Sequence, residues 1–141
     1  MELRLQYPPT PEFAAKHAEL AVAAALNVEQ ITLDYSPKSL ADVDGIVGRF
    51  HQEGLRANQI GETVFSFGCY VGEVLVRNHK GVWKLAAATK WPKTLKESLD
   101  MIVVELPNGS VWNPIGKAFK LLENGEGDSV EYFYHVAVKK G

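Results

Sequence analysis

The sequence lacks most of the residues and motifs that mark secreted proteins and the common enzyme classes. Among 141 residues cysteine occurs once, as Cys69, which excludes an internal disulfide. There is no glycine-rich phosphate loop, no Gly-x-Ser-x-Gly serine and no His-Glu-x-x-His pair. The four histidines also lack the spacing of metal ligands. We therefore expect neither a metal nor a cofactor.

Long apolar runs are missing as well. No stretch reaches the roughly 18 apolar residues of a membrane span, and the N-terminal MELRLQYPPT has no signal-peptide core. Together with the lone cysteine, this predicts a cytoplasmic protein without a membrane partner. A composition of 46% hydrophobic and 23% charged residues is typical of a folded globular protein. The length is that of one domain, so we expect residues 1–141 to form a single unit.

The central element is predicted to be a helix over 57–78, ANQIGETVFSFGCYVGEVLVRN. At about 100° per residue its side chains sort into three groups. The apolar arc contains Ile60, Val64, Phe67, Val71, Val74 and Leu75. The glycine arc contains Gly61, Gly68 and Gly72, and the polar stripe contains Glu62, Ser66, Tyr70, Glu73 and Arg77. Because each glycine costs about 1 kcal/mol of helix propensity, the glycine arc predicts an unusually close packing partner.

Helix starts are indicated by a capping residue followed by proline. This pair occurs at Thr10-Pro11, Ser36-Pro37 and Asn113-Pro114. A further helix is expected near the C-terminus, capped by Asp128 or Ser129. A helical turn is possible over 95–99.

Strands are predicted over 82–88, 101–106 and 110–112, with the Asn108-Gly109 turn joining the last two as a hairpin. Residues 28–35 alternate in polarity, which indicates either a short strand or a packed extended link. The expected fold class is α+β. A small antiparallel sheet of three to four strands packs against the glycine-bearing central helix and several other helices, and residues 1–9 are extended.

The first candidate site is the polar stripe of the central helix at Tyr70, Glu73 and Arg77. One interpretation is a simple Glu73–Arg77 pair at i,i+4. The alternative is that the stripe faces a partner or a pocket, where Cys69 could act as a nucleophile.

The second candidate site is a basic segment over 77–96, which has six Lys or Arg residues and no acidic residue, although the net charge of the chain is −2. Lysines bind phosphates and tryptophans stack on bases, so Lys80, Trp83, Lys84, Lys90 and Trp91 could hold single-stranded nucleic acid. The alternative is a solvated strand face whose tryptophans belong to the core.

Short motifs give the chain a family resemblance. They are Leu33-Asp34-Tyr35-Ser36-Pro37, Tyr70-Val71-Gly72-Glu73, Gly81-Val82-Trp83, the hairpin over 104–109, and Asn113-Pro114. Over residues 31 to about 138 the chain resembles a loose group of small bacterial α+β domains of unknown function. The resemblance implies no catalytic residue. Some small acidic bacterial proteins of this kind neutralise toxins, so it suggests an immunity role by analogy.

Three functions remain open from the sequence. The favoured one is a bacterial protein that binds another protein without catalysis, in an immunity or accessory role. The first alternative is a nucleic-acid-binding module that uses the basic segment. The second is an enzyme with a site near Tyr70 and Glu73.

Overall fold

The computed structural model of the protein describes residues 3–92 and 101–140. Its helices are α1 (Ala14–Glu29), α2 (Leu40–Gln52), α3 (Ala57–His79), α4 (Pro114–Asn124) and α5 (Val130–Lys140). Its strands are β1 (Val82–Leu85), β2 (Ile102–Glu105) and β3 (Val111–Trp112). The chain is an α+β domain, which confirms the predicted fold class. The helical turn predicted over 95–99 lies outside the described residues.

Helix α3 is the central helix, and it packs mainly against α1 and α4. An added Cβ at Gly68 would lie 2.6 Å from the Cα of Ile115. At Gly72 an added Cβ would overlap the indole ring of Trp83. The close packing that the glycine arc predicted is therefore confirmed at these two positions.

The described strands form an antiparallel sheet in the order β1-β2-β3. Val82 is paired with Glu105, and Val104 with Trp112. The β2–β3 turn contains Gly109 at φ +89°, as the Asn-Gly signal predicts. The first strand is shorter than predicted, since residues 86–88 form a 3-10 turn.

Two of the three proline-marked helix starts have a side-chain cap. The hydroxyl of Ser36 accepts from the Ser39 N–H (3.2 Å), and Asn113 Oδ1 accepts from the Gly116 N–H (2.9 Å). Thr10 precedes a 3-10 turn that leads into α1, but its hydroxyl is buried without a partner among the described residues. Proline alone therefore marks the start of the α1 segment.

The start of α5 joins two distant parts of the chain. Ser129, one of the two predicted caps, accepts from the Tyr132 N–H (3.1 Å). Asp44 of α2 accepts from the Val130 N–H (2.7 Å) and from the Ser129 hydroxyl (2.6 Å). The cap thus anchors α5 to α2, while Asp128 pairs with Lys117 instead.

Residues 30–35 form the packed extended link, and the strand interpretation is wrong. Leu33 is buried against the core, so its side chain, rather than a strand ladder, holds this segment in place. The link begins at Gln30 and ends at Tyr35, which both have positive φ (57° and 64°). A left-handed residue at each end redirects the backbone and does not fit a continuous strand.

Candidate functional site

Tyr35 is held by α3 in a backbone conformation that is rare for a residue other than glycine. Its N–H donates to the hydroxyl of Tyr70 (2.8 Å), and its carbonyl accepts from the side-chain amide of Asn78 (2.9 Å). Such a conformation costs on the order of 1–3 kcal/mol and persists where surrounding contacts enforce it. These two hydrogen bonds are the contacts that enforce it here.

The Tyr70 hydroxyl is fully buried and lies at the centre of a short hydrogen-bond chain. Ser39 Oγ donates its only proton to the carbonyl of Ser36 (2.7 Å). Tyr70 must therefore donate to Ser39 Oγ (2.6 Å) while it accepts from Tyr35. Burial raises the pKa of Tyr70, so this hydroxyl keeps its proton.

The carboxylate of Glu73 is 5% exposed, and both of its oxygens have a partner. One accepts from Arg77 Nε (3.1 Å) and the other from the indole N–H of Trp83 (2.8 Å). The Arg77 guanidinium also lies 3.6 Å from the centre of the Tyr35 ring. These contacts join three residues of the C-terminal half of α3 to one residue of the link and one of β1. We call this set the α3 network: Tyr35, Tyr70, Glu73, Arg77 and Trp83.

The α3 network has little capacity for acid–base or nucleophilic chemistry. Each oxygen of Glu73 accepts a hydrogen bond from the protein, and at 5% exposure the carboxylate is poorly accessible to a substrate. Burial, with a smaller contribution from the charge of Glu73, raises the pKa of the Cys69 thiol. Since the thiolate is the reactive form, Cys69 is a poor nucleophile. Within the polar stripe, Tyr70 contacts the link and the buried Glu73 contacts β1, whereas Glu62 and Arg77 are exposed.

The other end of the polar stripe lies near a small cavity of about 350 Å³. Glu62 and Ser66 line it together with Arg4 and His17. The Nε2–H of His17 donates to the carbonyl of Pro8 (3.0 Å), and this hydrogen bond anchors the N-terminal segment to α1. Half of the remaining lining comes from leucine and alanine of α1, and the other half is Leu5, Gln6 and Thr63.

The tryptophans and lysines of the basic segment make different contacts from one another. Trp83 packs on Gly72 and belongs to the α3 network, while Lys84 pairs with Glu105 (2.6 Å). Trp91 lies at a separate cleft. Lys80 is exposed and belongs neither to that cleft nor to the α3 network. Lys93 and Lys96 lie outside the described residues. The segment does not present its tryptophans on one face.

The cleft at Trp91 has a volume of about 660 Å³ and opens to solvent. Strand β3 and its flank contribute to one wall, α4 to another and α5 to a third. Its lining residues are Trp91, Val111, Trp112, Asn113, Gly116, Lys117, Lys120 and Phe133. We call it the aromatic cleft.

Hydrogen bonds and ring contacts fix the walls of the aromatic cleft. The indole N–H of Trp112 donates to Ser110 Oγ (2.9 Å), which in turn donates to Asn108 Oδ1 (2.7 Å) in the hairpin turn. The Trp112 and Phe133 rings meet edge to face with centroids 6.0 Å apart. The rings of Trp112 and Phe133 are therefore held in place before any ligand arrives, whereas the buried indole N–H of Trp91 has no partner among the described residues.

The charge at the aromatic cleft is positive. Lys117 pairs with Asp128 (2.7 Å), and hydrogen bonds from Lys117 and then Asn124 lower the pKa of that carboxyl. Lys120 is exposed and makes no ion pair with another described residue. None of the described lining residues is acidic. A ligand with negative charge and a large apolar group fits this lining.

No local sequence pattern indicated Trp112, Phe133, Lys117 or Lys120 as site residues. Three separate segments bring them together, so local spacing could not join them. One signal was present: Trp112 stands between a hairpin turn and the Asn113-Pro114 helix start, which places it where a strand meets a helix.

No family model, curated protein or solved structure matches this chain. Within the described residues no helix has both the length and the apolar content needed to cross a membrane. In the same part of the chain no three histidine, cysteine or acidic side chains form a metal-binding group. Function must therefore be argued from the α3 network and the aromatic cleft themselves.

Proposed function

We propose that the protein acts by binding another protein at the aromatic cleft, without catalysis in the α3 network. The observation that carries this proposal is an open cleft of about 660 Å³ with Trp91, Trp112 and Phe133 on its walls. Ligand sites commonly measure roughly 300–1,000 Å³ and are lined mainly by apolar and aromatic side chains. Tryptophan is also enriched among the residues that dominate protein–protein binding energy.

The α3 network supports a role other than catalysis. A general base needs a lone pair within reach of a substrate proton, and a nucleophile needs access. Glu73 and Cys69 are both buried, and neither lines the aromatic cleft. The polar contacts of Tyr70, Glu73 and Arg77 hold the link, α3 and β1 together.

The specific form of the proposal is an immunity or accessory protein in the bacterial cytoplasm. It rests on the resemblance described above and on the chain's lone, buried cysteine. Its partner would be another protein that the cleft sequesters or positions.

Nucleic-acid binding is the second candidate, because the same cleft combines aromatic rings with lysines. Single-stranded nucleic acids bind surfaces of this kind, with an affinity that falls steeply as salt rises. Binding of an oligonucleotide that stayed constant between low and moderate salt would contradict this candidate.

The test is affinity capture from a lysate of the source organism, treated with nuclease. The Lys120→Glu variant reverses a charge at the rim of the cleft, and Lys16→Glu reverses an exposed charge on α1. We expect wild type and Lys16→Glu to retain the same specific protein, and Lys120→Glu to lose most of it. Equal capture by all three baits would contradict binding at the aromatic cleft.

A further inference from the structure

The aromatic cleft borders a sheet edge with unused backbone groups. Among the described strands β3 is an edge strand. The Leu106 N–H donates to the Ser110 carbonyl, which makes these two residues a hydrogen-bonded pair of the hairpin. Hydrogen-bonded and non-hydrogen-bonded residue pairs alternate along an antiparallel ladder. The next pair, Glu105–Val111, is therefore not hydrogen-bonded, and the one after it, Val104–Trp112, is. The N–H and carbonyl of Val111 therefore point away from β2.

Val111 lies on the wall of the cleft, beside Trp112. Its backbone groups make no hydrogen bond to another described residue outside the ladder. A donor and an acceptor on one edge residue match the backbone of an extended peptide, which offers the same two groups in reverse order. A groove formed by an edge strand and a helix is a common seat for such a peptide, and here α4 and α5 form the opposite walls.

The charges favour an acidic peptide over a nucleic acid. Lys117 is already paired with Asp128, so among the lining residues that the structure describes Lys120 is the lysine left for a ligand. One cation can pair with one carboxylate, whereas tight binding along a phosphate backbone uses several. The apolar volume among Trp91, Trp112 and Phe133 accepts a large side chain next to that carboxylate.

We propose that the aromatic cleft binds an extended, acidic peptide segment of a partner protein, which pairs with the β3 edge at Val111 and inserts a large apolar side chain among the aromatic rings. This proposal rests on the proposed function and specifies the chemistry of the partner. The acidic side chain pairs with Lys120.

The test is selection from a displayed library of random 12-residue peptides against the folded wild-type protein. We expect selected peptides to be enriched in Asp or Glu near an aromatic or large aliphatic residue. Lys120→Glu should weaken a selected peptide by about tenfold, because it replaces an attraction by a repulsion, and Lys16→Glu should leave binding unchanged. Failure to select any peptide, or selection of peptides without acidic residues, would overturn the proposal.

A second readout examines the backbone pairing directly. Hydrogen exchange of the Val111 amide should slow by about tenfold or more when a selected peptide is bound, since the N–H becomes a hydrogen-bond donor. An unchanged exchange rate would exclude strand pairing. A twelve-nucleotide oligo(dT) serves as the competing probe, and its displacement of the peptide at moderate salt with tighter affinity would assign the cleft to nucleic acid instead.

The two proposals fail in different ways. If the library yields no acidic peptide but capture of a partner from lysate still depends on Lys120, the protein-binding function stands and the extended peptide is wrong. If capture is also independent of Lys120, both fail.

Discussion

The α3 network and the aromatic cleft contain similar kinds of side chain but use them differently. In the α3 network Glu73 accepts from Arg77 and Trp83, and Arg77, although its side chain is 45% exposed, stacks on Tyr35. In the aromatic cleft tryptophan, phenylalanine and lysine face an open volume, and Lys120 is exposed. The comparison shows that aromatic and charged side chains can be hydrogen-bonded and packed within the fold in one region and face open space in another.

The two tryptophans of the basic segment show the same difference. The Trp83 N–H is hydrogen-bonded to Glu73, and its ring fills the space that Gly72 leaves. Trp91 is eight positions later and lines the cleft. Substitutions in the α3 region should therefore change stability, and substitutions in the cleft should change binding.

The largest effect is expected at the glycine contact of α3. Gly68→Leu places a side chain against the backbone of Ile115 and should lower the free energy of unfolding by about 3 kcal/mol or more through overpacking. Gly45→Ala in α2 is the matched control, because nothing lies within 4 Å of its added Cβ. It should stabilise by roughly 0.5–1 kcal/mol through helix propensity. Urea unfolding measures both, and a loss below about 1 kcal/mol for Gly68→Leu would mean that α4 can move away from α3.

A smaller effect is expected for the buried hydroxyl of the network. Tyr70→Phe leaves the Tyr35 N–H without its acceptor and should cost about 1–3 kcal/mol. Tyr132→Phe is the control, since Tyr132 is 70% exposed, and it should change stability by less than about 0.5 kcal/mol. Similar unfolding midpoints for the two variants would show that the hydrogen-bond chain contributes little.

The smallest effect is expected at the Lys84–Glu105 pair on the sheet. The Lys84 side chain is 39% exposed and the pair is accessible to solvent, so Lys84→Met should cost no more than about 1 kcal/mol. The loss should shrink further in 1 M salt, where the Debye length is about 3 Å. A loss as large as that of Tyr70→Phe would mean that Lys84 belongs to the same buried network as Glu73.

Much of the fold could be predicted from local patterns. The α3 glycines, the Asn-Gly hairpin and the cap at Asn113 are signals whose physical cause lies within a few residues. The end of α1 and the link could not be predicted from local patterns. Apolar and polar residues alternate over 28–35, and this alternation is the same in a strand and in a link that packs on one side. The Asp44 cap of α5 is also invisible in the sequence, since 86 positions separate Asp44 from the Val130 N–H.

The site was harder to predict for the same reason. Tyr70, Glu73 and Arg77 lie on one face of α3, as helical periodicity predicts, but periodicity could not show that the link and β1 contact that face. Trp91, Trp112 and Phe133 come from three separate segments and meet only in the folded chain. The periodicity of one helix or strand does not predict which side chains of other segments will lie next to it.

The most direct test of the division between the two regions is partner capture per folded molecule, measured in parallel for Tyr70→Phe and Lys120→Glu. Capture is scored at a temperature where circular dichroism shows both variants to be folded. We expect Tyr70→Phe to capture the partner as well as wild type does, and Lys120→Glu to capture less than about a tenth as much. Normal capture by Lys120→Glu together with loss by Tyr70→Phe would contradict it, and would place the binding surface at the α3 network.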